Sequence, residues 1–176
     1  MAARLLAPAK RILSLRDPTQ KMSKSAADPK SRIILTDTAE EMTLKIRKAI
    51  TDSTDEITWN PKTRAGVSNL LAILHACSTE SRTDPPAHHS SDPQETYDEQ
   101  LTCLAAEFRN MSIVDLKQKV AEAVENRIAP IRSEYHRICA DEGYILSVSQ
   151  RGAERARSIA SRTLSEVKFR IGLEAV

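Results

Sequence analysis

The stretch SIVDLKQKVAEAVENRIAPIRSEYHRI, residues 112–138, gives the clearest indication of the fold. Its apolar residues recur every three or four positions, which places their side chains on one face of an α-helix. The predicted apolar face consists of Ile113, Leu116, Val120, Val124, Ile128, Ile131, Tyr135 and Ile138. We predict the longest helix of the chain here, starting at Ser112 and Asp115. A kink is expected at Pro130, because proline has no N–H group to donate within the helix.

The same spacing of apolar residues recurs on both sides of this stretch. Thr38 and Glu41 have the separation of a capping box, in which each side chain accepts a hydrogen bond from the other residue's backbone, and they predict a helix start. A short buried helix over residues 67–77 and another helix after Asp92-Pro93 are also predicted. Four glycines and 3 % aromatic residues disfavour a sheet-rich fold.

A fifth helix is predicted to begin between Asp141 and Ser149 and to be closed by Gly172. Its expected buried positions are Ala153, Ala156, Ala160, Leu164, Val167 and Ile171. The predicted fold is therefore mainly α, with an antiparallel helical bundle over residues 36–176. Residues 1–35 precede the bundle and are predicted to contain a buried strand at 11–15, a loop, and the start of an extended segment at 31–35.

The segment KMSKS, residues 21–25, is the strongest candidate for chemistry. It follows the turn-forming pair Asp17-Pro18 and offers two ammonium and two hydroxyl groups in a loop. Such a loop suits a polyphosphate, whose leaving group gains negative charge as a bond breaks. A cation accelerates that step only if it binds the charge more tightly in the transition state than in the ground state. Two unit charges about 4 Å apart interact by about 4 kcal/mol at an effective dielectric constant of about 20.

Each residue of this segment has an expected role. Lys21 and Lys24 would bind the leaving phosphates, Ser23 and Ser25 would add hydrogen bonds, and Met22 would pack inward. A Lys-x-x-Lys pair alone is more often a solvated basic turn than a binding site. The complete pentapeptide, preceded by Asp-Pro, favours binding.

The pentapeptide and several further segments resemble the tryptophanyl-tRNA synthetases, a family of class I aminoacyl-tRNA synthetases. The similar segments are RILSLRDP at 11–18, KAITDS at 48–53, AGVSNLL at 65–71, where the family has a turn, IAPI at 128–131 and GAERA at 152–156. The likeness extends over about residues 10–173 and is poor at 79–100.

This resemblance implies a tryptophan–tRNA ligase, which activates tryptophan with ATP and transfers it to tRNA(Trp). It implies a homodimer and ATP accompanied by Mg²⁺ as the substrate complex, with no metal bound by the protein itself. By position in the family's motif, the catalytic residues are Lys21 and Lys24. The implied ATP-binding residues are Ile12, through its backbone, with Lys21, Met22, Ser23, Lys24 and Ser25. Residues 1–35 then correspond to the end of a Rossmann-like catalytic domain that carries the signature loop, and 36–176 to a helical domain that contacts tRNA through residues the sequence does not identify.

Two departures from the family's pattern bear on function. Asp-Pro normally follows the signature, but Ala26-Ala27 stand here and Asp28-Pro29 comes two residues later, so a looser loop is expected. The family's His-x-Gly-His signature, glycine-rich sheet and tryptophan pocket have no counterpart in this sequence, in which the histidines are His75, His88, His89 and His136. We therefore expect a carboxyl-terminal portion that does not form tryptophanyl adenylate alone.

Two other functions stay open. One is a truncated, non-catalytic module that binds tRNA or a partner protein. The other is a tyrosine-specific relative, whose signature loop can look alike. The segment at 66–71 and the absence of a basic RNA-binding appendage favour the tryptophan family over the tyrosine one.

Charge and composition bear on partners and compartment. Residues 1–32 hold eight basic and two acidic residues, a distribution typical either of phosphate binding or of solvated helix faces. Residues 1–12 are basic and free of acid, and with the segment at 15–18 they favour the mitochondrial matrix, with the cytoplasm as the alternative. No apolar run is long enough to span a membrane. His88 and His89 lack the ligand spacing of a metal site, so none is predicted.

Overall fold

Five α-helices and one short 3₁₀ helix form the regular structure of residues 11–78 and 93–173, the parts of the chain that the computed structural model describes. The 3₁₀ helix is Pro29–Ser31, and the α-helices are α1 Ala39–Arg47, α2 Ala65–Ser78, α3 Pro93–Glu107, α4 Ile113–Cys139 and α5 Glu142–Arg170. The prediction of a mainly α chain is confirmed. Of the predicted helix start at Asp92-Pro93, Asp92 lies outside the described residues.

The chain divides into two compact units, Met1–Pro130 and Ile131–Val176. The division falls inside α4, directly after Pro130, and α4 remains helical beyond it to Cys139. The predicted kink at Pro130 stays a prediction. The predicted boundary between residues 35 and 36 also stays a prediction, because it separates two functional domains of the family and not two compact units of the structure.

The helix ends follow the local sequence closely. The N–H group of Glu41 donates to Thr38 Oγ1 at 3.2 Å and that of Thr38 donates to Glu41 Oε2 at 2.9 Å, so the capping box is confirmed. Asp141 caps α5 by accepting from the N–H group of Tyr144, within the predicted range. Gly172 follows α5 with φ of 75°, the left-handed conformation that closes a helix without steric cost for glycine.

The helices of the first unit share one core. Its fully buried side chains come from the segment before the signature, from the link between α1 and α2, and from α1 to α4. The largest of them are Leu15, Met42, Ile46, Ile57, Leu70, Leu71, Leu101, Leu116, Val67 and Val120. Leu15 therefore ties the signature segment into the same apolar core as the helices.

The link between α1 and α2 is organised by the guanidinium group of Arg64. It donates to both carboxylate oxygens of Asp52, at 2.7 to 3.1 Å, to Thr58 Oγ1 at 2.9 Å, and to the carbonyl oxygens of Thr54 and Glu56. These bonds hold the pKa of Asp52 below its usual value. A link without helix or strand thus keeps a defined path next to the start of α2.

The predicted packing of α5 is wrong. None of its residues is buried, and the predicted core positions Leu164 and Val167 are 54 % and 47 % exposed. Helical periodicity shows that a face is apolar but does not show what covers it. Within the described residues of the second unit, nothing covers this face. Among the helices of the described ranges, α5, at 29 residues, is longer than α4, at 27, so the prediction that α4 is the longest is also wrong.

The predicted strand at 11–15 is also wrong, because residue pairing is confined to one antiparallel bridge between Leu13 and Lys21. Leu15, two residues after Leu13, forms its backbone hydrogen bonds with other segments of the chain, and those segments are not strands. The predicted extended segment at 31–35 is wrong at both ends, because Ser31 belongs to the 3₁₀ helix and Leu35 lies in a turn, while Arg32 is extended with φ of −139° and ψ of 155°. No strand forms in the parts of the chain that the structure describes.

Tyr97 offers a test of the core. Its ring packs edge-on against Trp59 and His75, and its hydroxyl group is buried with no hydrogen-bond partner in the described structure. Because a buried hydroxyl without a partner costs free energy, Tyr97→Phe should raise the free energy of unfolding by about 1 kcal/mol. Urea denaturation measures the change. The control, Tyr144→Phe, alters an exposed hydroxyl and should leave stability unchanged. A destabilised Tyr97→Phe variant would contradict the prediction.

Candidate functional site

The signature segment begins as the second arm of a small hairpin. Around the bridge of Leu13 and Lys21, the N–H group of Ser14 donates to Gln20 O and that of Met22 donates to Ile12 O, both at 2.9 Å. Ile12, the predicted adenine-contacting residue, is therefore bonded directly to the backbone of Met22. The hairpin places these two predicted site residues side by side.

The turn of the hairpin is closed by Asp17, as the Asp-Pro pair predicted. The N–H group of Gln20 donates to Asp17 O at 3.0 Å. The carboxylate of Asp17 accepts from the hydroxyl group of Thr19 at 2.6 Å and from the side-chain amide of Gln20 at 2.7 Å. The Thr19 hydroxyl, above all, holds the pKa of Asp17 below its ordinary value. The turn is thus stabilised locally, directly before Lys21.

The first arm of the hairpin is attached to α2 through Asn69. This side chain is 5 % exposed. Its Oδ1 accepts from the N–H group of Leu13 at 2.8 Å, and its Nδ2 donates to Leu13 O at 2.9 Å. Asn69 therefore satisfies both backbone groups of the residue that lies opposite Lys21.

A second attachment passes through the backbone of Leu15. Its N–H group donates to Ser31 O at 3.0 Å, and its carbonyl accepts from the N–H group of Ile50 at 2.8 Å. Gly66, at the start of α2, allows this arrangement, because a Cβ atom there would lie 2.2 Å from Ile50 O. The segment at 65–71, which the family resemblance identified as a turn, forms the first two turns of α2 instead.

The signature residues lie around one open cavity of about 400 Å³. Its lining consists of Arg11, Ile12, Lys21, Met22, Ser23, Lys24, Arg32, Ile33 and Ile34. Five of the six predicted ATP-binding residues are among them. The sixth, Ser25, is not, although its Oγ lies 3.3 Å from Ser23 Oγ. Sequence and fold thus bring the expected residues together.

The electrostatics of the cavity are one-sided. Among the residues that the structure describes, the lining contains four cationic side chains and no carboxylate. Lys21 and Lys24 are exposed, and neither forms an ion pair within the described ranges 11–78 and 93–173. Met22 is half-buried and packs against the core, as predicted. The arrangement leaves two ammonium groups available for an anionic ligand.

The segment after the signature is held by groups that the sequence did not single out. Asp28 caps the 3₁₀ helix by accepting from the N–H group of Lys30 at 2.8 Å, and its other carboxylate oxygen lies 3.5 Å from Arg16 Nε. Arg32 donates to Ala26 O at 2.7 Å. The Asp28-Pro29 pair therefore anchors this segment, although Ala26-Ala27 separate it from the signature.

Sequence reasoning missed the roles of Asn69 and Arg32 at this site, and that of Arg16, which does not line the cavity, in holding Asp28. Asn69 carried a usable signal, since it is a polar residue within the apolar run at 67–74 and buried polar groups are almost always hydrogen-bonded. Arg16 and Arg32 carried none, because an arginine in a loop is usually a solvated charge. Their partners are backbone carbonyls and an acid whose positions depend on the fold.

The family described as tRNA synthetases class I (W and Y) matches residues 3–129. The chain belongs to this synthetase family. Among the curated relatives of this synthetase chain is the tryptophan–tRNA ligase of Wolinella succinogenes, 37 % identical over 163 residues, which cover 93 % of this chain and 44 % of that protein. The mitochondrial tryptophan–tRNA ligase of Caenorhabditis elegans is 35 % identical over 162 residues, or 92 % of this chain and 39 % of that protein.

A solved structure of the same family has a similar fold. The tryptophanyl-tRNA synthetase from Mycoplasma pneumoniae superposes with a TM-score of 0.69 at 32 % identity, covering 95 % of this synthetase chain and 45 % of that one. This chain thus spans under half the length of the relatives it matches.

In the described ranges, no three His, Cys, Asp or Glu side chains are grouped so as to hold a metal ion. None of the helices described has the length and apolar character needed to cross a bilayer.

Proposed function

We propose that this synthetase chain supplies the phosphate-binding signature of a tryptophan–tRNA ligase. The observation that carries the proposal is the cavity at the hairpin, where Lys21 and Lys24 are exposed and where, among the described residues, neither forms an ion pair and no carboxylate belongs to the lining. Lys24 and Lys21 bind the β- and γ-phosphates of ATP, which enters with Mg²⁺. Ser23 and Ser25 add hydrogen bonds, and the backbone of Ile12 contacts adenine.

In this proposal the two lysines accelerate the reaction by stabilising the negative charge that develops on the leaving pyrophosphate. The carboxylate of tryptophan attacks the α-phosphorus, the bond to the bridging oxygen breaks, and the electron pair leaves with pyrophosphate. Because the ammonium groups meet that charge as it grows, they stabilise the transition state more than the ground state. Met22, half-buried on the core, anchors the loop that carries them.

The remaining functional features are proposed from family membership. The helical residues contact tRNA(Trp), which receives tryptophan from the adenylate, and the complete enzyme is a homodimer. The chain acts as the carboxyl-terminal portion of that enzyme, in the mitochondrial matrix, with the cytoplasm as the alternative. The likeness to the mitochondrial relative and the acid-free residues 1–12 support the matrix.

The chain alone should not catalyse tryptophan-dependent exchange of pyrophosphate into ATP, because this sequence contains no His-x-Gly-His signature. The matched experiment uses a chimera in which this chain replaces the corresponding 44 % of the Wolinella ligase. The chimera should catalyse exchange while the isolated chain does not. Exchange by the isolated chain would contradict the expectation that the active site also needs the part of the enzyme that carries the His-x-Gly-His signature. An inactive but folded chimera that still binds tRNA(Trp) would favour the alternative, a non-catalytic binding module.

A further inference from the structure

Arg32 lies at the signature cavity but outside the signature. It is half-buried and belongs to the lining together with Lys21 and Lys24. Its Nη1 donates to Ala26 O at 2.7 Å and to Asp28 O at 3.4 Å. The side chain thus connects the cavity to the residues through which the chain leaves the signature loop.

The charge of Arg32 is not neutralised by these contacts. Both acceptors are carbonyl oxygens, and no carboxylate in the described ranges forms an ion pair with it. The acid nearest in sequence, Asp28, directs its carboxylate to Arg16 and to the N–H group of Lys30 instead. A guanidinium held only by carbonyls, in a cavity without carboxylates, keeps its attraction for an anion.

The hydrogen-bonding capacity of Arg32 is also incomplete. Nη1 makes both bonds, and within the described structure Nε and Nη2 make none. Guanidinium groups present donors in a planar fork that matches two oxygens of a phosphate group, which a lysine ammonium cannot do. The unused edge of Arg32 is therefore suited to a phosphate group.

We propose that Arg32 is a third polyphosphate-binding residue of this cavity, contacting phosphate oxygens through Nε and Nη2 while Nη1 holds Ala26. The inference rests on the proposed function of Lys21 and Lys24 and extends it to a residue outside the signature. Its ligand class is an inorganic or nucleotide polyphosphate with at least two phosphate groups. One side chain then links the bound anion to the position of the loop exit.

The test is calorimetric titration of the full chain with inorganic pyrophosphate. A charge-assisted hydrogen bond contributes enough that Arg32→Gln should weaken the affinity about tenfold. Arg32→Lys keeps the charge but loses the fork, and should weaken the affinity about threefold. The charge-matched control is Arg47→Gln, which removes an exposed arginine of α1 that does not line the cavity. It should bind as the unchanged chain does.

A second control separates contact from anchoring. Arg16→Gln removes the partner of Asp28 and a bond to Lys48 O at 2.9 Å, but Arg16 does not line the cavity. Its affinity should fall by less than about twofold. A loss as large as that of Arg32→Gln would overturn the contact role, because Arg32 would then act only by holding the segment.

The two proposals fail in different ways. If Lys24→Ala weakens binding while Arg32→Gln does not, the signature function stands and the inference about Arg32 is wrong. If neither changes the affinity, or if the unchanged chain shows no saturable binding, both are wrong. Circular dichroism checks the fold of each variant. If Arg32→Gln loses helicity, the inference is tested by comparing the pyrophosphate affinity of Arg32→Lys with that of the unchanged chain. Equal affinities would reject the inference.

Discussion

Lys24→Ala in the chimera with the Wolinella ligase is expected to lower the rate of tryptophan-dependent pyrophosphate exchange about a hundredfold. Removing one preorganised charge donor costs on the order of 3 kcal/mol when that donor acts in the transition state. The affinity for tryptophan should change little, because the proposed contact is with the leaving phosphates. Steady-state exchange rates at varied tryptophan and ATP concentrations measure both quantities.

The matched control for Lys24→Ala is Lys30→Ala. Lys30 is exposed and lies in the 3₁₀ helix six residues further on, but it does not line the cavity. Its replacement should leave the rate nearly unchanged, since an isolated surface charge acts weakly through solvent. Equal losses of rate and tryptophan affinity in Lys24→Ala would reject the leaving-group role.

Gly66→Ala should lower the stability of the chain substantially. A Cβ atom at this position would lie 2.2 Å from Ile50 O and 3.2 Å from Ile50 C and Thr51 Cα, all backbone atoms that no rotamer change can move. Overpacking of this kind typically costs up to about 3 kcal/mol. Alanine in a helix gains about 1 kcal/mol over glycine. A net loss of about 2 kcal/mol is therefore expected by urea denaturation.

The control for this substitution is Gly152→Ala. Gly152 lies in α5, and a Cβ atom there would meet nothing within 4 Å, so only the helical gain should appear. Gly66→Ala should also weaken pyrophosphate binding, because Ile50 is bonded to Leu15 in the arm that carries the site. A Gly66→Ala chain as stable as the unchanged one would show that α2 can move away without cost.

The sequence predicted the helices well because their signals are local. The capping box of Thr38 and Glu41 and the cap at Asp141 depend on residues within four positions, and each forms as expected. The placement of Lys21 and Lys24 followed from the signature and its preceding turn. Such features need no knowledge of distant partners.

The predictions that failed concern partners far away in sequence. The apolar face of α5 was expected to be buried, but periodicity does not specify a covering element. Likewise, nothing near Leu13 in sequence indicates that its backbone groups bond to Asn69, 56 positions away. Arg32 was overlooked for the same reason. Its proposed role in anion binding depends on the fold, which places Arg32 in the cavity lining with other cations and without a neighbouring carboxylate.

The two backbone bonds of Leu15 have an evolutionary consequence. They join main-chain atoms only, so no exchange of a side chain at 15, 31 or 50 deletes a donor or acceptor, unless proline enters. The backbone bonds that hold the hairpin therefore tolerate side-chain exchange at these three positions. Variation among homologues should accordingly spare Gly66, which permits the close approach of α2 to Ile50.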